Sequence, residues 1–413
     1  MNRDKKTQIL INSTKSTLLM AADFFYILAF CILTIFEFLD TVQLWDEQRI
    51  FLKELESGRS GWAIILLMIV VVQYLCSDGY NFQEYLMAVC ILGLGFKAAS
   101  KSETFIMYIL LLVGARRFSF KKLMWIYFGI ISVLIAFTVI GSQAGWVEYL
   151  IFDAGNRGDR MAFGFVYATD CAAHFLFWAM TYWCVRGEKM HFMEAGIFGI
   201  LAYVTGKYCK ARFSTGLLLL IIVIAVVYYI TGKMLGEEKR DKFVGGRFSA
   251  FLVISPLVTN LIIHVLSFVY TDKWSWIVSL NQLVSSRLSL TKIALDVYGI
   301  GLWGNEIIMK GNGGRTTFSK DYYFIDSSYL LISMEQGLIL LAIFLVIFTM
   351  ACLKARRVKL WIPLMICGVI SLHGMFEHHA FQLAYNPFLF MAFAELQPVN
   401  KKNGWIIKKG RQV

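Results

Sequence analysis

Proline is almost missing from this chain, with four in 413 residues. No tract of Ser, Gln or repeated charge accompanies it, so there is no stretch suited to a disordered linker or a second soluble domain. One integral domain over 1–413 is expected. Charge is scarce too: 16% of residues are Asp, Glu, Lys or Arg against 58% hydrophobic, and mean hydropathy is +0.62. Those values exclude an ordinary soluble domain and predict an all-α polytopic membrane protein. Usable cysteine is lacking as well. All eight except Cys209 lie inside apolar runs, in no disulfide or zinc-ligand spacing.

What is present is a succession of apolar runs. Arg3, Lys5, Lys6 and Lys15 precede the first, 18–39, which is too long for a signal peptide and lacks a small-residue cleavage site. Further helices are expected at 62–76, 84–96, 104–115, 123–141, 163–184, 191–206, 213–230, 250–270, 328–350, 360–376 and 387–396, or about twelve in all. The longest polar interval, 271–327, separates the ninth from the tenth.

With the N-terminus inside, the larger share of the 40 Lys and Arg falls in short cytoplasmic segments, including 116–122, 233–247 and 354–359. Both termini are then cytoplasmic and the 271–327 loop extracytoplasmic. The net charge of +12 reads mainly as an orientation signal, and nucleic acid is not an expected partner. Lys207, Lys210 and Arg212 break the rule on a short outer turn, which asks for a reason.

Five outer stretches carry polar chemistry. The first holds Arg157, Arg160, Gly164-Phe165 and Thr169-Asp170, with His174 four residues on; headgroup anchoring competes with substrate binding, and an Asp170–His174 bond with a polar cavity. The second is the Lys207, Lys210, Arg212 turn followed by Ser214, a cationic cluster suited to pyrophosphate. The third starts at Ser286-Arg287 and continues as a helix, apolar at 288, 290, 293, 294 and 297, that could lie on the membrane. Gly299, Gly301, Gly304 and the 311–314 turn then let the chain pass close to a ligand. In the fourth, Asp326 is placed as an N-cap or as a ligand for a sugar hydroxyl, beside Tyr329 and ahead of Gly337. The fifth is His373-Gly-Met-Phe-Glu377-His378-His379, then Asn386-Pro387. Adjacent histidines diverge on a helix and no further ligand stands at metal spacing, so a general base among Glu377, His378 and His379 is expected, with no metal and no cofactor.

In order and spacing these pieces resemble the Wzy-type O-antigen and capsular polysaccharide polymerases of the O-antigen ligase/polymerase superfamily. The matching residues are 157–165, Arg212-Phe-Ser214, Ser286-Arg287-Leu288 with Tyr298-Gly-Ile-Gly-Leu-Trp-Gly304, Ile325-Asp326-Ser-Ser-Tyr329 with Gly337, and Glu377 with Asn386-Pro387. They span the second half of the chain. One departure is visible: many members carry His-Pro-Asn where this chain has Tyr167-Ala168-Thr169.

The resemblance implies a GT-C-like enzyme of the bacterial inner membrane that joins oligosaccharide repeats carried on undecaprenyl pyrophosphate. Its partners would be that lipid-linked glycan, the bilayer, a chain-length regulator and a flippase. Arg157, Arg160, Arg212 and Arg287 would hold the leaving pyrophosphate, aided by Lys207 and Lys210, while Asp326, Tyr329 and Asn386 position sugar. A ligase shares this donor chemistry but not the acceptor. A flippase of the same lipid should show repeat symmetry, interrupted helices and midplane charge. Asp23, Glu194, His264 and Glu335 fit no part of this scheme.

Overall fold

The computed structural model describes residues 3–77, 82–98, 102–152, 158–311 and 323–397, and they form an all-α membrane protein. Among them six helices are long and apolar enough to cross a bilayer: Asn12–Leu39, Arg59–Cys76, Phe120–Ala144, Arg212–Leu235, Arg247–Val269 and Leu338–Arg357. Each is buried on one side and turns Leu, Ile, Val, Phe or Trp outward on the other, as lipid-facing helices must. The shorter Trp361–Phe376 and the helix Ala168–Arg186 are covered on nearly every face and form the centre.

About twelve helices were expected, and three of those runs are not continuous helices. The expected 191–206 helix is split into a 3₁₀ turn at Phe192–Glu194, a helix at Ala195–Val204 and a π-turn at Thr205–Cys209. The expected 387–396 helix is the short 3₁₀ turn Phe388–Ala392, wholly buried. Pro387 starts that turn, and Lys354 Nζ then caps the carbonyls of Ala392, Phe393 and Ala394 at 3.1, 3.3 and 2.9 Å. The expected 328–350 helix breaks at the π-turn Ile332–Gln336 and resumes at Leu338. Interrupted helices therefore occur here despite the scarcity of proline.

Backbone crossing explains the last break. The 299–304 glycine segment passes directly over the π-turn, with Asn305 N donating to Met334 O at 2.8 Å and Leu338 N to Gly301 O at 3.0 Å. A Cβ at Gly304 would lie 2.1 Å from Glu335 O, and one at Gly337 2.3 Å from Leu302 O. Gly304 and Gly337 are required by this chain crossing. Gly311 is described, and the rest of the 311–314 turn lies outside the described residues.

The 271–327 interval holds two helices, Ser275–Leu283 and Arg287–Tyr298, and its described stretches 299–311 and 323–327 are not helical. In the second helix Leu288, Thr291, Ala294 and Leu295 face inward while Ile293 and Val297 face out. The expected apolar set is thus divided between protein and surroundings.

The charges without a place are mostly internal ties. Asp23 takes a two-pronged bond from Arg117 at 2.8 and 2.9 Å, Glu194 pairs with Arg186 at 2.8 Å, and His264 bonds Ser333 at 3.1 Å.

Candidate active site

Trp361–Phe376 begins beside the basic 354–359 segment and ends at Glu377. Sixteen residues rise about 24 Å, so that segment and Glu377 lie at opposite ends of the bundle. At the Glu377 end a half-open cleft of about 80 Å³ is lined by Arg160, Lys210, Arg212, Arg287 and Glu377, with Thr169, Phe213 and Ser285 among its other walls. Four cations from three separate stretches thus converge on one carboxylate.

Arg287 owes its position to a short, constrained corner. Ser285 and Ser286 both adopt left-handed backbone, at φ 59° and 66°, and turn the chain back onto the helix Arg287–Tyr298. Asn281 holds the corner: its Oδ1 accepts from Leu288 N at 3.0 Å and Ser289 N at 3.1 Å, and its carbonyl accepts from Ser286 N at 2.8 Å. That side chain performs the capping that Ser286 does not. Arg287 then reaches inward, with Nη1 at 2.8 Å from Glu377 Oε1 and Nε at 3.1 Å from Asp326 Oδ2. Nη1 also donates to the carbonyl of Phe376.

Asp326 is free for that pair because it is not the helix cap. Ser327 caps the following helix, its Oγ accepting from Leu330 N, one residue later than expected. Ser328 Oγ donates to the Glu377 carbonyl at 2.6 Å and accepts from Ala380 N at 3.1 Å, which joins this corner to the turn after Glu377.

The remaining expected residues divide. Arg160 Nε donates to Cys209 O at 3.0 Å, which ties the strand Arg160–Met161 to the π-turn; Lys210 ends that turn in left-handed backbone at φ 50°. Lys207 points away from the cleft, donating to Tyr203 Oη at 2.7 Å and lying over the Tyr203 and Tyr208 rings. Tyr329 is wholly buried, its hydroxyl 3.1 Å from both Ser371 O and Thr259 Oγ1. Asn386 is buried too, donating to Ala380 O at 2.6 Å and accepting from Phe388 N at 3.0 Å. Neither Tyr329 nor Asn386 lines the cleft, and both serve the packing of the turn. Arg157 lies outside the described residues.

Behind the cleft, Asp170 and His174 bond to other partners rather than to each other. Asp170 Oδ1 lies 3.3 Å from His379 Nε2, and His174 Nε2 lies 2.9 Å from Thr41 Oγ1. The Tyr385 ring lies between His174, on which it stacks at 4.1 Å, and His379, to which it is tilted at 4.2 Å. Burial raises the Glu377 carboxyl pKa above its ordinary value, with Arg287 opposing. Burial also pushes His378 down to about 4 and His379 well below its usual range, so both imidazoles are neutral near pH 7. Asn281 and the Asp170–His379 contact had no signal in the sequence.

Compared with protein-family models, with curated proteins and with solved structures, the chain matches none.

Proposed function

We propose that this chain is a membrane glycosyltransferase of the Wzy type, a polymerase joining undecaprenyl-pyrophosphate-linked oligosaccharide repeats at the outer face of the bacterial cytoplasmic membrane. The observation that carries the reading is the cleft in which Arg160, Lys210, Arg212 and Arg287 surround Glu377 at a helix end. In this reading both termini are cytoplasmic, the shorter helices bring the spans to about twelve in a GT-C-like arrangement, and the cleft opens outward.

The chemistry follows from the charges. The acceptor sugar's hydroxyl oxygen attacks the anomeric carbon of the donor chain as the bond from that carbon to the pyrophosphate oxygen breaks. Glu377 takes the hydroxyl proton, and undecaprenyl pyrophosphate leaves with its negative charge held by the four cations. A guanidinium presents a planar fork to phosphate oxygens, which suits Arg160, Arg212 and Arg287 to that task. Glu377 is favoured as base over His379, which is turned toward Asp170, because it alone of the three lines the cleft.

Deletion followed by gel analysis of surface glycan tests the reading. A single repeat unit in place of polymer supports a polymerase. Full-length polymer left on the lipid carrier would identify a ligase, and absence of exported repeat a flippase. The interrupted helices at Thr205–Cys209 and Ile332–Gln336 are the observation that favours the flippase alternative.

A further inference from the structure

Three side chains behind the cleft converge without lining it: Asp170, from the first turn of Ala168–Arg186, and His378 and His379, which open the 3₁₀ turn His378–Phe381. One ligand-type atom from each lies within 4.8 Å of the other two. The Asp170–His379 separation of 3.3 Å already equals the spacing of about 3.3 Å between ligand atoms that sit near 2.0–2.1 Å from a tetrahedral zinc ion. His378 is the least buried of the three.

A second observation points to an occupant. Nδ1 of His378 is buried without a hydrogen-bond partner, and His379, whose Nε2 faces Asp170, is wholly enclosed. Buried polar nitrogens ordinarily have partners, and each exception calls for one.

We propose that Asp170, His378 and His379 bind one divalent transition-metal ion of the zinc class. Two imidazoles and one carboxylate are borderline ligands that suit Zn²⁺ or its neighbours over Mg²⁺ and Ca²⁺, which take oxygen. Adjacent histidines alone make no such site. The acid comes from 209 residues away in the sequence, and only the fold brings it there. An ion here would anchor the turn that follows Glu377 to the helix Ala168–Arg186, a positioning task separate from holding pyrophosphate.

The test reads bound metal and is independent of glycan chemistry. Full-length protein, purified in detergent without a histidine tag, is incubated with zinc sulfate, desalted and assayed by plasma mass spectrometry. The expected result is about one zinc per chain, lost in Asp170→Asn and in His378→Ala but kept in Tyr203→Phe, with elution volumes unchanged. Should either variant aggregate, cobalt loading of the wild type decides: visible d–d bands support the site. No retained zinc in the wild type, equal zinc in the variants, or a cobalt sample without those bands would overturn it.

Discussion

Arg287 and Glu377, 90 residues apart in the sequence, meet at 2.8 Å with both side chains largely enclosed. The same guanidinium holds Asp326, so one cation joins the loop helix, the approach to the tenth apolar run and the end of Trp361–Phe376. Removing it would do two things at once, and separate variants tell them apart.

Arg287→Ala takes from Asp326 and Glu377 the guanidinium they pair with, at a cost of about 3–5 kcal/mol. Thermal unfolding in detergent should fall accordingly, and polymer should disappear from gels. Arg287→Lys keeps the charge but loses the planar fork. It should fold near normally, with extension of a synthetic lipid-linked repeat reduced by about 100-fold or more. Wild-type extension by either variant would remove Arg287 from the leaving-group role.

Glu377→Gln preserves size and the contact with Arg287 while deleting the base. Turnover is expected to fall by about 10²–10⁴-fold, with binding of the lipid-linked donor retained in a fluorescence assay. Equal loss of binding and turnover would mean that Glu377 only supports the fold.

Asn281→Ala removes the cap that aims Arg287. Stability should drop by about 1–2 kcal/mol, and turnover should fall further than that loss of folded protein explains. Ser286→Gly works in the opposite direction, relieving left-handed strain of about 1 kcal/mol. A raised melting temperature with unchanged activity is the expected outcome.

Gly337→Ala and Gly304→Ala each drive a methyl group into a carbonyl of the crossing strand. Backbone must move, so neither variant should accumulate in membranes as a monodisperse species by fluorescence-detected size exclusion. Gly216→Ala, where a Cβ meets nothing within 4 Å, is the control expected to behave as wild type.

Much of this was legible in advance because membrane helices write themselves into composition. The six long helices all fall on apolar runs, and Arg160, Lys210, Arg212, Arg287 and Glu377 stood out as charges on the outer turns and helix ends. What escaped was governed by tertiary contact. Ser327 and Asp326 are adjacent and both able to cap, and only the reach of Arg287 decides which does. Apolar content could not separate 387–396 from a spanning helix, since a segment buried in protein is as greasy as one buried in lipid. Lys207 and Tyr329 were of the right chemical type, but their partners Tyr203, Thr259 and Ser371 occupy them elsewhere.

The buried turn at Phe388–Ala392 bears on how the molecule is made. Around it Tyr108 Oη donates to Asn386 O at 2.5 Å and Tyr127 Oη to Ala384 O at 2.8 Å, while Glu395 exchanges backbone bonds with Phe118 and Phe120. Each partner belongs to the first third of the chain, synthesised long before. A ribosome translating this protein therefore inserts its early helices around a gap that only the last-made residues can fill. Until then those helices are exposed to quality control, and a stop codon shortly before residue 384 should yield a degraded fragment rather than a shortened enzyme.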